Sequence, residues 1–325
     1  MPQVRLPLAV PPVQDRSCDV AGLGQNSVDL VALLREFPTS NSKQQIERFA
    51  RFPGGQVASA MVCCARLGWR ARYLGRFGSD ELGDIGRNSL VTEGVDVSAA
   101  EVVAGAQTRF AMIIVDGRTG DRTVLWDRDP RLALTSADVP AAAVRTSRVL
   151  LVDCDDVEAS VAAATVARDA GVITAIDVEA VLPGLDRLLP LIDIVIASEG
   201  FPERWTASSE TGRALERLHA ELQPALTCVT LGPRGSLARC GGREIRTPAF
   251  SVPCVDTTGA GDAFRGGFIA ALLRHGPEDV EVLLRMANAV AALKCRTAGA
   301  REGLPHTAEL DALLSEDRRD TSVPL

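Results

Sequence analysis

Apolar residues along the chain form short runs that alternate with longer amphipathic stretches, most regularly in the second half. Short apolar runs bounded by turn residues predict buried strands, whereas apolar positions spaced three and four apart predict helices. We predict strands at 18–24, 71–77, 149–153, 173–177, 192–197, 225–231 and 250–255, and helices at 57–67, 157–170 and 211–222. This alternation predicts a mostly parallel central sheet, wound by right-handed crossovers and covered by helices on both faces.

A second β-rich region interrupts this pattern in the N-terminal half. Two β-rich runs, at 110–115 and 123–126, flank a turn sequence at 116–120, which predicts a hairpin. Residues 45–52 alternate apolar and polar positions, as a half-buried strand does. We therefore expect a small separate β-sheet, inserted into the main domain as two lid segments at about 33–53 and 104–128.

The ends of the chain differ from the middle in composition. Residues 1–17 contain three prolines besides Pro2 and no continuous apolar run, so we expect a loose N-terminal arm and no signal peptide. The polar residues 312–325 predict a frayed C-terminal tail. The main domain is accordingly expected at 18–311.

The overall composition excludes several classes of protein. A hydrophobic fraction of 46% supplies a large core, but no apolar run is long enough to span a membrane. A net charge of −7 and only 4% aromatic residues argue against nucleic-acid binding. The eight cysteines are scattered without a C-x-x-C pair, so we expect neither zinc nor disulfides and favour a cytoplasmic location.

Candidate chemistry is concentrated in residues 256–267, with the sequence Asp-Thr-Thr-Gly-Ala-Gly-Asp-Ala-Phe-Arg-Gly-Gly. A predicted strand precedes this stretch and an apolar helix follows it, so small residues lie where the helix begins. Gly259, Ala260 and Gly261 let backbone amides approach an anion, which the start of a helix attracts. Asp262 directly behind them is suited to take a proton from a hydroxyl while the amides stabilise a transferring phosphoryl group.

This stretch resembles the second signature of the PfkB (ribokinase-like) family of carbohydrate and nucleoside kinases. The resemblance implies that Asp262 is the general base and that the amides of Gly259, Ala260 and Gly261 form an anion hole for the γ-phosphate of ATP. It also implies a three-layer α/β/α domain with a small β-sheet lid over the sugar. Relatives often form dimers through this lid, so a homodimer is expected.

Gly54 and Gly55 precede the predicted helix at 57–67 and resemble the start of the family's first signature. The signature normally has an Asn where this chain has Ser59, which offers the acceptor one hydrogen-bonding group instead of two. Asp29, after the first predicted strand, matches the family's acid that accepts hydrogen bonds from two acceptor hydroxyls. The resemblance thus assigns Asp29, Gly54, Gly55 and Ser59 to acceptor binding.

The resemblance also implies a nucleotide site. Its expected residues are Thr230, Gly232, Gly235, Thr258, Asn288 and Ser198. PfkB kinases usually have Asn-x-x-Glu after a strand in the middle of the chain, to organise Mg²⁺ and phosphate. Here Ser198 replaces the Asn and Phe201 replaces the Glu. Ketohexokinase-like members also have a serine at the first of these positions. We expect Mg²⁺ to be held mainly by ATP and water, with Glu199 nearby, and Asp256 to be a ligand in the family's potassium site.

The acceptor predicted from the resemblance is a ketohexose such as fructose, because the sequence around Thr108-Arg109-Phe110 and Ser198 is most similar to ketohexokinase and fructokinase members. Arg109 and Arg128 belong to an arginine-rich lid, and if they point inward they favour an anionic acceptor. Such an acceptor is a sugar phosphate, a keto-deoxy sugar acid or a sulfonated sugar. A nucleoside acceptor and a catalytically weak, nucleotide-binding regulatory protein remain as alternatives.

Overall fold

The computed structural model describes residues 3–14, 16–277 and 279–320, and the side chains of these residues as far as Glu316. Its strands are β1 (Val20–Leu23), β2 (Ser27–Leu34), β3 (Arg48–Gly54), β4 (Ala71–Leu74), β5 (Arg76–Gly78), β6 (Glu101–Val103), β7 (Phe110–Asp116), β8 (Arg122–Asp127), β9 (Val149–Asp153), β10 (Ile173–Val178), β11 (Ile194–Ser198), β12 (Leu226–Thr230), β13 (Ser236–Cys240) and β14 (Arg243–Thr247). Its helices are α1 (Gln56–Arg66), α2 (Glu81–Thr92), α3 (Ala141–Arg145), α4 (Val157–Asp169), α5 (Leu185–Leu188), α6 (Phe201–Thr206), α7 (Thr211–Leu222), α8 (Ala260–His275), α9 (Val280–Lys294) and α10 (Thr307–Asp320).

The central sheet has eight strands in the order β14-β13-β12-β11-β10-β9-β1-β4. It is parallel from β12 to β4, and a hairpin adds β13 and β14 antiparallel at one edge. Every residue of β9 is buried, and alternate side chains enter different cores: Val149 packs with α1, α8 and α9, whereas Leu150 packs with α4 and α5. Both faces are therefore covered by helices, and the predicted mostly parallel α/β sheet is confirmed.

Because these strands are parallel, their carboxyl ends meet at one edge of the sheet. Strands β9 to β12 end there at or near Asp153, Asp177, Ser198 and Thr230, and the first turn of α8 lies at the same edge. The topology thus gathers polar residues from distant parts of the sequence into one place.

The lid sheet consists of four strands in the order β3-β2-β7-β8, and it confirms the predicted small separate sheet. Strands β7 and β8 form the predicted hairpin, and β3 pairs antiparallel with β2. Strand β2 was not predicted. It follows β1 after only three residues and contains Asp29, for which the sequence predicted only a position after the first strand.

Two predicted strands differ in the structure. Residues 250–255 are irregular, because Pro253 lacks an amide and the amides of Val255 and Asp256 both donate to the Cys295 carbonyl rather than to a neighbouring strand. The predicted strand at 71–77 is divided after Leu74 into β4 and β5, and β5 pairs with β6 in a separate two-stranded sheet.

The N-terminal arm is packed rather than loose. Leu6 is fully buried in the core beside α8 and α9, and its amide donates to the Pro277 carbonyl. The predicted C-terminal tail is also ordered as far as Asp320, within α10, because Leu310 packs into the same core. Residues 1, 2, 15, 278 and 321–325 lie outside the described part of the chain. Within that part, no helix is both long and apolar enough to cross a membrane.

Candidate active site

The first turn of α8 is the centre of the candidate site. Gly259 precedes the helix with a φ of 76°, and a Cβ added there would lie 2.7 Å from the Ala300 carbonyl oxygen, so glycine is required on both grounds. The Ala260 amide already donates to the Thr257 carbonyl. The amides of Gly261 and Asp262 follow in the first turn, where a helix provides no acceptor of its own. They are the amides best placed to meet an anion.

Two cavities meet in front of this turn. One, of about 810 Å³, lies between the lid sheet and the loop that leads to α8, and Asp29 contributes to its wall. The other, of about 560 Å³, is lined by Ala260 and Gly261 and extends towards α9. Cys254 and Thr257 line both cavities. The start of α8 therefore lies at the junction of two spaces, each large enough for a small ligand.

Asp262 lies in an acidic, largely enclosed environment. Burial raises the pKa of Asp262 to about 8, and the nearby carboxylate of Asp177 adds to the rise, while the Arg265 guanidinium opposes it. A carboxyl group with a pKa in this range is a proton acceptor matched to neutral or mildly alkaline pH. The general-base role assigned to Asp262 remains a prediction, but its electrostatic environment suits that role.

On the lid side, Asp29 projects from β2 into the larger cavity. Burial raises its pKa to about 6, against the lowering effect of the Arg301 guanidinium. Gly54 lies against this carboxylate, since a Cβ there would be 3.1 Å from an oxygen of Asp29. Gly55, with a φ of 93°, caps α1 and would bring a Cβ within 2.6 Å of the Gln25 carbonyl oxygen. Both glycines thus permit the close approach of β3, β2 and α1.

Ser59 is placed differently from the prediction that it contacts the acceptor. Its side chain is fully buried in α1, and its hydroxyl lies 3.3 Å from Nε of Arg301. The guanidinium of Arg301 also donates to Asn26 Oδ1 at 3.2 Å, to Ser89 Oγ at 3.1 Å and to the Gly54 carbonyl. Ser59 therefore faces Arg301, and the small side chain leaves space for this guanidinium.

The smaller cavity contains most of the residues predicted to bind nucleotide. Thr230, Gly232, Gly235 and Asn288 line it, and the Asn288 amide donates to Ser236 Oγ at 3.0 Å. Thr258 instead lines the larger cavity, where its hydroxyl accepts a hydrogen bond of 2.9 Å from Arg122 of the lid sheet.

Ser198 lines neither of these two cavities. Its hydroxyl lies 3.3 Å from Nη2 of Arg265, behind the first turn of α8. Ser198 therefore does not line the cavity that contains the other predicted nucleotide residues.

Arg109 and Arg128 are neutralised by carboxylates. Arg109 lies 2.8 Å from Asp155 and stacks over the Trp126 ring, and Arg128 pairs with Asp155 at 2.8 Å and with Asp156 at 2.6 Å. The cleft that they line has a volume of only about 20 Å³, enough for one water molecule. The structure thus does not present these two arginines to an acceptor.

Glu199 and Asp256, predicted near Mg²⁺ and K⁺ respectively, both have partners within the protein. Glu199 is exposed and pairs with Arg234. The oxygens of Asp256 accept the amides of Thr258 at 2.9 Å and Gly299 at 2.8 Å, and these bonds hold the pKa of Asp256 below its usual value although burial opposes them. No group of three or more His, Cys, Asp or Glu side chains suited to a metal occurs in the described part of the chain. A Mg²⁺ ion would accordingly depend on phosphate oxygens and water.

Three residues of the site were missed from the sequence. Asp177, Arg265 and Arg301 are all buried next to the first turn of α8 or to Asp29. Arg265 did carry a signal, because it is a charged residue within an otherwise apolar helix. Arg301 follows a Gly- and Ala-containing segment near the end of the domain and carries no comparable signal.

Comparison with known proteins agrees with this geometry. Residues 19–307 match the family model described as pfkB family carbohydrate kinase. A fructokinase of Klebsiella pneumoniae is 31% identical over 82% of this chain and 93% of its own length. A ribokinase of Bacillus subtilis is 29% identical, covering 91% and 99%, and a nucleoside kinase of Methanothermobacter thermautotrophicus is 27% identical, covering 90% and 94%.

Solved structures show the same fold. The ribokinase of Thermotoga maritima superposes with a TM-score of 0.80 at 23% identity, covering 92% of this chain and 99% of that chain. The ribokinase of Arabidopsis thaliana, complexed with ribose and ATP, gives a TM-score of 0.79 at 23% identity, covering 91% and 98%. The α/β domain described above therefore has the ribokinase-like fold.

Proposed function

The chain belongs to the pfkB family of carbohydrate kinases, and from that premise we propose that it uses ATP to phosphorylate a hydroxyl of a small sugar, with a ketohexose such as fructose as acceptor. The observation that supports the proposal is that Asp262 lies in the first turn of α8, directly after Ala260 and Gly261 of the cavity with the predicted nucleotide residues and close in sequence to Thr257, which also lines the cavity with Asp29. The choice of a ketohexose is supported by the 31% identity to a fructokinase.

The proposed reaction is a single in-line transfer. Asp29 accepts hydrogen bonds from acceptor hydroxyls and directs one of them at the γ-phosphorus of ATP. Asp262 takes the proton of this hydroxyl as its oxygen bonds to phosphorus, while the bond from phosphorus to the leaving ADP oxygen breaks. The first-turn amides of α8 face the charge that accumulates on the transferred group. A Mg²⁺ ion bound to ATP would neutralise part of its phosphate charge.

The decisive experiment is ADP release from MgATP across a panel of acceptors. The panel contains fructose and other ketohexoses, ribose, hexose phosphates, keto-deoxygluconate, sulfofructose and adenosine, with and without K⁺. We expect the highest kcat/KM with a ketohexose. Turnover confined to adenosine would contradict a sugar acceptor. Tight MgATP binding without turnover on any acceptor would favour a nucleotide-binding regulatory protein instead.

A second candidate, an anionic sugar, is supported by Arg48 and Arg122, two lid arginines that differ from the rest in having no carboxylate in close contact. Arg51, Arg109, Arg128 and Arg131 all pair with carboxylates at 2.8 Å or less. Arg48 and Arg122 line the cavity that contains Asp29; Arg48 makes no ion pair among the described residues, and the nearest carboxylate of Arg122 is 4.0 Å away. Two cations without a carboxylate in close contact at a cavity wall are suited to a phosphate, carboxylate or sulfonate.

Neutralising these arginines distinguishes the two acceptor classes. If the acceptor is neutral, Arg48→Gln and Arg122→Gln are expected to change its KM less than about threefold. If the acceptor is anionic, each is expected to raise its KM by roughly 10-fold or more, since a charge-assisted hydrogen bond is lost. Arg131→Gln, which breaks an exposed lid pair outside the cavity, is the matched control and leaves KM unchanged in both cases.

We also propose a homodimer through the lid sheet. Phe49, Met112 and Leu125 share the face of this sheet that points away from the larger cavity, and each is at least 40% exposed. A cluster of exposed apolar side chains on a flat sheet is typical of a protein interface. Light scattering at micromolar concentration is expected to give twice the mass of 34.4 kDa. Leu125→Lys should then give the monomer.

A further inference from the structure

Arg265 is a buried cation that the proposed transfer does not yet use. It is the sole charged residue of α8 between Asp262 and Arg274. It lies three residues after Asp262, one turn along the same helix face. Its side chain is only 3% exposed, so the chain maintains a charge in a place where charge is costly.

The contacts of Arg265 fix its guanidinium directly behind the anion-binding turn. Nη2 lies 2.7 Å from Asp177 Oδ1 and 3.3 Å from Ser198 Oγ. A Cβ added to Gly261 would be only 2.3 Å from Nη1, so the guanidinium packs against the α-carbon of that residue. Nε is buried and has no hydrogen-bond partner. Gly261 is thus between Arg265 and the smaller cavity, which it lines.

We propose that Arg265 is a positioning residue for phosphoryl transfer. Asp177 and Ser198 hold its guanidinium behind Gly261, and its positive charge stabilises the negative charge that develops on the transferred group. The proposal rests on the kinase function proposed above. It adds a fixed cation to a turn whose amides alone supply only partial charges. It also gives a role to the short Ser198 side chain, which leaves room for the guanidinium at the end of β11.

The charges around Asp262 are mostly negative, and Arg265 opposes them. The carboxylates of Asp177 in β10, of Glu179 just after it and of Asp29 in β2 all raise the pKa of Asp262. Lys294 and Arg301 also interact with the charge of Asp262. Lys294, however, donates to the Asp256 carbonyl, and Arg301 is bound to the Gly54 turn. A phosphoryl group that enters this site meets several carboxylates, and the Arg265 guanidinium packs against Gly261 in the first turn of α8.

A buried pair with Asp177 does not by itself explain Arg265. Replacing a buried ion pair by apolar residues is often neutral or stabilising, so such pairs are weak contributors to stability. A purely structural role nevertheless predicts one clear result, namely lower stability without any change in transition-state binding. The experiment must therefore separate these two effects.

The test measures binding of MgADP with and without aluminium fluoride, a planar anion that mimics the transferring phosphoryl group, by calorimetry in the presence of the best acceptor of the panel. Arg265→Gln is expected to leave the Kd of MgADP within about threefold of wild type, and to weaken the aluminium fluoride complex by roughly 10²-fold, because the lost interaction acts only on the transferring group. Arg265→Lys keeps the charge and is expected to recover part of this loss.

The pH profile of kcat/KM, with the best acceptor of the panel, provides a second readout. Arg265 lowers the pKa of Asp262, so Arg265→Gln moves the acid limb to higher pH. Asp177 raises the pKa of Asp262, so Asp177→Asn moves the acid limb of the profile to lower pH. Arg148→Gln is the matched control, because it breaks a buried pair with Asp19 far from the site. This control is expected to lower Tm and to leave both readouts unchanged.

Arg265→Gln that behaves like Arg148→Gln, with a lower Tm but wild-type aluminium fluoride binding and an unmoved acid limb, would overturn the proposal and leave the kinase function standing. If the wild-type protein binds no MgADP at all, both the kinase function and this inference fail. If Arg265→Gln does not fold, Arg265→Lys still decides the question: an aluminium fluoride complex that is weaker than wild type at an unchanged Kd of MgADP supports the proposal, and a wild-type complex overturns it.

Discussion

Asp262→Asn is expected to lower kcat by roughly 10²- to 10⁴-fold, the usual contribution of a general base. Asparagine has nearly the same shape as aspartate and fits the first turn of α8, but it does not accept the hydroxyl proton. The MgATP affinity is expected to stay within about threefold of wild type, since a base acts mainly in the transition state. ADP release and calorimetric MgATP binding, measured on the same preparation, check both statements.

The wild-type enzyme should show the corresponding dependence on pH. The base acts in its ionised form, and the pKa of Asp262 is raised to about 8. We therefore expect kcat/KM to fall about tenfold for each pH unit below that value. The Asp262→Asn variant should have lost this dependence in its residual activity.

The same substitution is expected to stabilise the protein. Between about pH 4 and pH 8 the folded state holds a proton on Asp262 that the unfolded state has released, so the free energy of unfolding contributed by this residue falls as pH rises. Asparagine removes the cost of burying the charge. Asp262→Asn should therefore have a higher Tm than wild type at pH 8, and the difference should shrink towards pH 5.

Asp96→Asn is the matched control of opposite sign. Burial acts to raise the pKa of Asp96, but the hydrogen bonds from Ser98 and Arg72 hold it below its usual value. Neutralising it removes stability that is present at neutral pH, so Tm falls while kcat is unchanged. Near-normal turnover of Asp262→Asn would exclude Asp262 as the base, and a lower Tm at pH 8 would show that its carboxylate is not buried at a cost.

The regular elements could be predicted because their signals are local. Strand β9 and helix α7 have the predicted bounds, at Val149–Asp153 and Thr211–Leu222. A fully buried parallel strand is a continuous apolar run, and α7 shows the three- and four-residue spacing of an amphipathic helix. The prediction of a strand at 250–255 was wrong for the opposite reason, because the residues that determine this segment are not local. Its apolar residues suit a strand, but its amides bind a distant carbonyl that the local sequence does not reveal.

The residues of the candidate site also differ in whether their signals are local. The glycine loop and Asp262 were found because their chemistry depends on adjacent residues at one helix start. Asp177 and Arg265 meet only through the winding of the sheet, which brings the end of β10 next to α8. The orientation of the lid arginines depends on which carboxylates the fold places beside them, and no local pattern specifies Asp155 as the partner of Arg109.

Arg301→Lys is expected to raise the acceptor KM by roughly 10- to 100-fold with less than about threefold change in the KM for ATP. The guanidinium connects four groups from different elements: Asn26 after β1, the Gly54 carbonyl at the end of β3, Ser59 in α1 and Ser89 in α2. A lysine ammonium is a compact charge whose donors do not span these four acceptors. The Gly54 turn, which lies against Asp29, should then lose its fixed position.

The loss of these bonds should also lower stability. Each buried acceptor left without a donor costs about 1–3 kcal/mol. Arg66→Lys is the matched control, because Arg66 donates to the Leu304 carbonyl and pairs with Glu93 in a half-buried setting, and it lines neither of the two cavities of the candidate site. We expect both variants to lower Tm in thermal unfolding, but only Arg301→Lys to change the acceptor KM. Equal KM values for the two variants would contradict a positioning role for Arg301.

The pH dependence of the acceptor KM separates positioning from charge. Burial raises the pKa of Asp29 to about 6, and Arg301 opposes that rise, so wild-type Asp29 is ionised above this pH and its KM should be flat there. Arg301 itself stays charged, since burial lowers its pKa only to about 10. Arg301→Met removes the charge, so the pKa of Asp29 should rise further and the acceptor KM should keep falling between pH 6 and pH 8. Arg301→Lys keeps the charge, so its KM should be high but flat over that range. A flat profile for Arg301→Met would mean that Arg301 acts on Asp29 through geometry alone.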